Sequence, residues 1–138
     1  MFAVLIFGRL AATTEVAYDT LRTKVIHDPD WRVQEMLARA FDQYCKEKGY
    51  ETCLPLIKEW LRAPEVNQRR AVSEGLRIWT SRPYFTEHPE VAVALLASLR
   101  SDASEYVRKS AGNALRDISK RYPELVAREL QTWNLSDR

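Results

Sequence analysis

The stretch Val107-Arg108-Lys109-Ser110-Ala111-Gly112-Asn113-Ala114-Leu115 decides the fold, because the chain repeats its pattern. Gln68-Arg69-Arg70-Ala71-Val72-Ser73-Glu74-Gly75-Leu76 follows the same plan, as does Val33-Gln34-Glu35-Met36-Leu37-Ala38-Arg39-Ala40-Phe41. The copies start at 33, 68 and 107, giving spacings of 35 and 39. A second register runs beside the first. Glu15-Val16, Glu51-Thr52, Glu90-Val91 and Glu124-Leu125 each open an apolar-periodic segment, at spacings of 36, 39 and 34. Leu21, Ile57, Leu96 and Leu130 follow six residues later in all four. One insertion, Ser81-Arg82-Pro83-Tyr84-Phe85, accounts for the longer gap.

Each unit therefore reads as a helix, a turn and a second helix. Val107, Ala111, Ala114, Leu115 and Ile118 recur at helical spacing, as do Val33, Leu37, Ala40 and Phe41. Asp28-Pro29-Asp30, Ala63-Pro64-Glu65 and Ser101-Asp102-Ala103-Ser104 punctuate the units. Pro89 and Pro123 stand where a helix begins, since the first turn needs no proline N–H. Two helices per 34 to 39 residues is the HEAT/armadillo or tetratricopeptide class, and no tetratricopeptide consensus is present. The expectation is an all-α, HEAT-like helical-repeat solenoid (an α-α superhelix). It forms a single domain over residues 1–138, with repeats at about 2–27, 30–62, 66–100 and 104–134. The first helix, at about residues 2–12, has no partner before it, so either a natural short form or an N-terminally truncated chain is expected.

Composition agrees. Four glycines in 138 residues is few, since about 7% would give roughly ten, and β-rich or parallel α/β folds use glycine at turns and phosphate loops. Cys45 and Cys53 lie eight apart with no CxxC, so they read as reduced packing thiols of a cytoplasmic protein rather than zinc ligands. Met1-Phe2-Ala3-Val4-Leu5-Ile6-Phe7 is apolar but stops at Gly8-Arg9, too short to span a bilayer, so no membrane association is expected. His27 and His88 are isolated in connections and read as structural, and Gly75 and Gly112 as close inter-helix contacts. No Walker, Rossmann or Ser-His-Asp signature is present.

The formal net charge of +2 hides a split: residues 1–66 carry 9 basic and 10 acidic side chains, residues 67–138 carry 12 and 9. Glu35, Arg70 and Lys109 share one repeat position, Arg69 and Arg108 the one before it, and Arg77 aligns with Arg116. Such rows suit a surface that tracks a phosphate backbone, or an ordinary solvated face with Glu–Arg pairs between repeats, which patterning alone favours. Trp31 and Glu35 are four apart, hence on one helix face. An indole attracts a cationic planar group, and a carboxylate stabilises positive charge developing on a sugar as its glycosidic bond breaks. The same residues also read as a hydrophobic staple or inter-repeat plug (Trp31) and a first-turn dipole partner (Glu35). Trp60 and Trp133 share a repeat position and are assigned to the core.

Together, Asp30-Trp31-Arg32-Val33-Gln34-Glu35, Arg69-Arg70-Ala71-Val72-Ser73-Glu74-Gly75 and Tyr106 to Ile118 resemble the HEAT-like-repeat DNA alkylation repair enzymes, bacterial DNA glycosylases that remove cationic alkylated bases. The resemblance covers about residues 3 to 138. It implies a concave groove that holds alkylated double-stranded DNA by its backbone, and base excision repair of purines alkylated at ring nitrogen 3 or 7. It implies a monomer that uses no metal and no organic cofactor. By position it makes Glu35 the catalytic carboxylate, Trp31 the aromatic flanking the lesion, and Arg70, or its neighbour Arg69, the basic residue of the site. A sister branch puts an aromatic and an acid near Trp79 and Asp117. Arg69, Arg77, Trp79, Arg108, Lys109, Asn113, Arg116 and Asp117 would contact DNA. Asn113 stands where the family has a second aromatic, and Glu35 is one methylene longer than the frequent Asp. The competing expectation is a non-catalytic HEAT scaffold that binds DNA or a protein partner.

Overall fold

The computed structural model describes residues 15–79 and 82–133, with the side chains of Arg22 and residues 77–79 outside that description. The expected opening helix at about residues 2–12 lies outside the described residues. The rest is helical: α1 (Glu15–Thr23), a 3-10 turn (Val25–His27), α2 (Trp31–Lys48), α3 (Tyr50–Leu61), α4 (Val66–Trp79), α5 (Pro83–Glu87), α6 (Pro89–Ala97), α7 (Glu105–Ser119) and α8 (Pro123–Gln131). The repeats are therefore real. α2, α4 and α7 carry the three aligned copies, while α1, α3, α6 and α8 begin at or one residue before the four aligned glutamates. These are HEAT-like helix pairs. The chain divides into two compact units, one ending at Gly75 and one starting at Leu76.

In the first unit an aromatic cluster forms the centre. Phe41 stacks on Trp60 with centroids 4.1 Å apart, Tyr18 stacks on Tyr44 at 5.0 Å, and the Trp60 indole N–H donates to the Tyr18 hydroxyl at 3.2 Å. That bond ties α3 to α1 and satisfies the polar atom of a tryptophan only 1% exposed. Burying side chains of this size contributes roughly 2–3 kcal/mol each. A single residue, Gly49, joins α2 to α3, with a φ of 92° that L side chains rarely adopt. Just past it the Tyr50 hydroxyl donates to the buried Asp42 carboxylate on α2.

In the second unit α7 packs on α6 and α8 through Val107, Ala111, Ala114, Leu115 and Ile118, all buried. The insertion becomes α5, with Pro83 at its start. Phe85 is fully buried, and the Tyr122 hydroxyl donates to the Thr86 carbonyl at 3.3 Å.

Two expectations, on Trp133 and Gly112, are corrected. Trp133 is not core: it is half-buried, its indole N–H donates to Glu129 at 3.1 Å, and the Arg100 guanidinium lies 6.0 Å from its ring. Leu130 is 46% exposed, unlike its buried counterparts Leu21, Ile57 and Leu96. Gly112 is no inter-helix contact, for it is exposed and a Cβ there would meet nothing within 4 Å. Gly75, by contrast, is buried.

The connection before each aligned copy is clamped by one repeat position. Gln34 donates to the Asp28 carbonyl at 2.8 Å, Arg69 to the Ala63 carbonyl at 2.8 Å, and Arg108 to the Asp102 carbonyl. In each case the acceptor lies six residues back. Gln34 also reaches the Val25 carbonyl at 2.9 Å, and Arg69 the Pro64 carbonyl at 2.9 Å. Asx turns complete two of these connections, Asp28 accepting from the Asp30 N–H and Asp102 from the Ser104 N–H.

Gly49→Ala should destabilise the chain by about 1–3 kcal/mol, read from urea denaturation, because the new side chain must adopt a strained backbone. At the start of α2, Asp30 accepts from the Arg32 N–H at 2.9 Å and from the Arg32 guanidinium at 3.1 Å through each oxygen. The guanidinium holds its carboxyl below the ordinary value of 3.8. That cap contribution is therefore complete above 3.8 and lost as pH falls through the lowered folded value. The stability difference between wild type and Asp30→Ala should be constant near neutrality and shrink in acid, which urea midpoints measured across pH will show.

Candidate functional site

The site grows from the start of α2. The Asp30 cap fixes the first turn, and Trp31 follows it with 68% of its surface exposed. Trp31 is thus no plug between repeats. One turn later, Glu35 occupies the same face by its spacing of four. The first turn of α2 holds no acidic residue, so Glu35 stands beyond the reach of a simple dipole role.

What fixes Glu35 is Arg70 on α4. The Arg70 Nη2 lies 2.6 Å from the Glu35 Oε1, and the two sit at the same position of successive repeats. Arg70 has 8% of its side chain exposed and Glu35 41%, so the cation is buried beneath a carboxylate that solvent still reaches. A charge-assisted bond of this kind is about twice as strong as a neutral one. Glu74, one turn along α4, approaches the same Nη2 at 3.9 Å with 16% of its side chain exposed. Glu74 was not foreseen, although the i,i+4 spacing from Arg70 was there to be read. Around this centre, Asn67 donates to the Ile26 carbonyl at 2.8 Å, and His27 Nδ1 stands 3.8 Å from Glu65. These contacts set α4 against the 3-10 turn just ahead of α2.

The other foreseen residues divide. Arg69 and Arg108 point a guanidinium N–H at connection carbonyls, as Gln34 does with its amide. Arg77 and Trp79 belong to the last turn of α4, and their side chains lie outside the described residues. In the second unit Lys109, Asn113 and Arg116 are exposed on α7. Lys109 pairs with Glu105 at 3.0 Å, and this pair holds the Glu105 carboxyl below its usual range. Asp117 is half-buried and pairs with Lys120 at 3.4 Å. His88 Nδ1, in the second unit, stands 3.5 Å from Glu90. Among the described residues no three His, Cys, Asp or Glu side chains gather as metal ligands, and no helix is long and apolar enough to cross a membrane.

A shallow cleft of about 650 Å³ between α3 and the start of α4 is lined by Lys58, Arg62 and Gln68 among others, and includes neither Trp31 nor Glu35. The Trp31–Glu35 pair instead sits on an open helix face.

Known proteins resemble this chain in sequence and fold. The family model for DNA alkylation repair enzyme matches residues 1–134. The crystal structure of AlkD2 from Streptococcus mutans superimposes with a TM-score of 0.91 at 53% identity, over 96% of this chain and 63% of that one. The structure of smu.31 from Streptococcus mutans UA159 gives a TM-score of 0.91 at 52% identity, over 96% and 65%. Protein YhaZ of Bacillus subtilis (strain 168) is 34% identical over 87 residues, 60% of this chain and 24% of its own length. The chain thus spans under two thirds of the length of each of these relatives. With the match running over nearly all its residues, the chain belongs to the DNA alkylation repair enzyme family.

Proposed function

We propose that the protein binds alkylated double-stranded DNA and hydrolyses the N-glycosidic bond of purines made cationic by alkylation at ring nitrogen 3 or 7. The observation that carries this reading is the Glu35 carboxylate, held at 2.6 Å by a buried Arg70 yet 41% exposed beside the open indole of Trp31. A carboxylate in free solution would be oriented only by water. This one is preorganised, and preorganised charge is what stabilises a developing cation.

The chemistry needs little more. A purine carrying a positive charge leaves as a neutral base, taking the electron pair of the C1′–N bond. No acid must protonate it. The deoxyribose is left oxocarbenium-like, and Glu35 faces that charge. Water then bonds to C1′, and its proton passes to Glu35 or to solvent. Trp31 lays its π face against the cationic base or the sugar edge. Arg70 is a positioning residue: it lies beneath Glu35 and acts through it. Lys109, Asn113 and Arg116 on α7 supply donors for phosphates, and Arg69 and Arg108 add positive charge one position before Arg70 and Lys109 in their repeats. This set needs no metal or organic cofactor. An open helix face suits lesions whose own charge does part of the work, because such a base leaves without being held deep in a pocket.

Glu35→Gln should bind duplex DNA as the wild type does and fail to release 7-methyl- or 3-methylpurine from methylated DNA, measured by chromatography of the released base. A wild-type protein that binds DNA but releases no base sinks the catalytic reading and leaves a DNA-binding module. Arg70→Met should cost about 1–2 kcal/mol in stability by removing the cation shared by Glu35 and Glu74. It should also cut base release, with Arg70→Lys recovering part of the rate. A role for Arg70 in stability alone would leave the rate per folded molecule unchanged.

A further inference from the structure

We infer that Gly112 is a point of close approach for the DNA sugar-phosphate backbone on the exposed face of α7. This rests on the duplex-binding reading and deepens it.

Glycine is the least favourable residue for a helix interior after proline, and a helix keeps one where a side chain would obstruct something. Nothing in the protein is obstructed here. Gly112 lies in the middle of α7 (Glu105–Ser119), is exposed, and a Cβ on it would meet no atom within 4 Å. At the same repeat position Ala38 is 3% exposed and Ser73 is fully buried, so small residues there have a packing reason that Gly112 lacks. Its backbone adopts no positive φ either. What remains is a partner that comes closer than alanine would let it.

The surroundings state what kind of partner. Lys109, Gly112, Asn113 and Arg116 follow i, i+3, i+4, i+7 and share one side of the helix, and all four are exposed. Arg108, one turn before Gly112, is exposed as well. The nearby acids are Glu105, paired with Lys109 at 3.0 Å, and Asp117, paired with Lys120 at 3.4 Å. The Lys109–Glu105 pair is more than two-thirds exposed on both sides, so a phosphate can take the ammonium with little loss. Apart from Tyr106, exposed one turn before Lys109, the side chains around Gly112 are polar and suit an apolar helix poorly. An anionic backbone finds two cations and an amide around a bare stretch of helix, and it can come closer by about one C–C bond, roughly 1.5 Å.

The test uses the full chain, a fluorescein-labelled duplex at low salt, and the variants Gly112→Ala and Gly112→Gln. Alanine should raise the melting temperature by roughly 3–6 °C, because it is the better helix former in open space. It should nevertheless weaken duplex binding, and glutamine should weaken it by about tenfold as charge-assisted contacts are lost. Variants that melt higher and bind as the wild type does overturn the role of Gly112 while leaving DNA binding intact. A wild-type protein that binds no duplex at low salt removes the DNA reading and this inference together. Sedimentation showing a dimer that Gly112→Gln dissolves would instead assign the face to a second copy of the chain, and overturn the proposal.

Discussion

The connections between repeats depend on one requirement: carbonyls left over where a helix ends must find donors. The chain meets it with a single repeat position, occupied by Gln34, Arg69 and Arg108, each donating to a carbonyl six residues back. The donors differ chemically, an amide in one repeat and guanidinium groups in two, yet the geometry is the same. Because the clamp sits in the first turns of α2, α4 and α7, it also sets where the next residue of each helix begins its climb. Those next residues are Glu35, Arg70 and Lys109. Within the first unit, two of them meet as the ion pair at the centre of the site.

Burying the cation and exposing the anion has a chemical logic. Arg70 cannot lose its charge, so it stays a fixed positive group under the surface. Glu35 can then turn one oxygen down to the guanidinium and leave the other to solvent and ligand. The reverse arrangement would present a guanidinium outward, good for phosphate and useless against a cationic sugar. Glu74 approaches the same Nη2 from within α4, so two carboxylates share one guanidinium and the three groups together carry a net negative charge.

Repeat alignment made the helix pairs, the proline starts and the Glu35–Arg70 contact legible, because each of these is a property of position along the period. It was blind to direction. Arg69 and Arg108 share a column, and a column of arginines looks like a phosphate track. Only the coordinates show their guanidinium groups turned back along the chain. Trp133 shares a column with Trp60, yet only Trp60 has Phe41 to stack against. Gly112 was read as an inter-helix contact because it is a lone glycine inside a helix, while the faces covering Ala38 and Ser73 at the same repeat position have no counterpart there. Burial depends on what lies opposite, and a single strand of letters does not record it. The functional assignments of Trp31 and Glu35 came from resemblance, with geometry adding exposure and the ion pair.

The two cysteines have a meaning beyond packing. Cys45 on α2 and Cys53 on α3 are both buried, at 0% and 4% exposure; the hydrogen bond between them, together with burial, pushes the Cys45 thiol well above its usual range, and the same bond draws the Cys53 thiol below its own. Electrophiles that methylate purine nitrogens attack thiolates still more readily, since sulfur is the softer nucleophile and only its deprotonated form reacts. Cys45 and Cys53 are all the sulfhydryls the chain has, and the fold shuts both inside a helical hairpin, where burial rather than thiol chemistry keeps a soft electrophile in solution away from them.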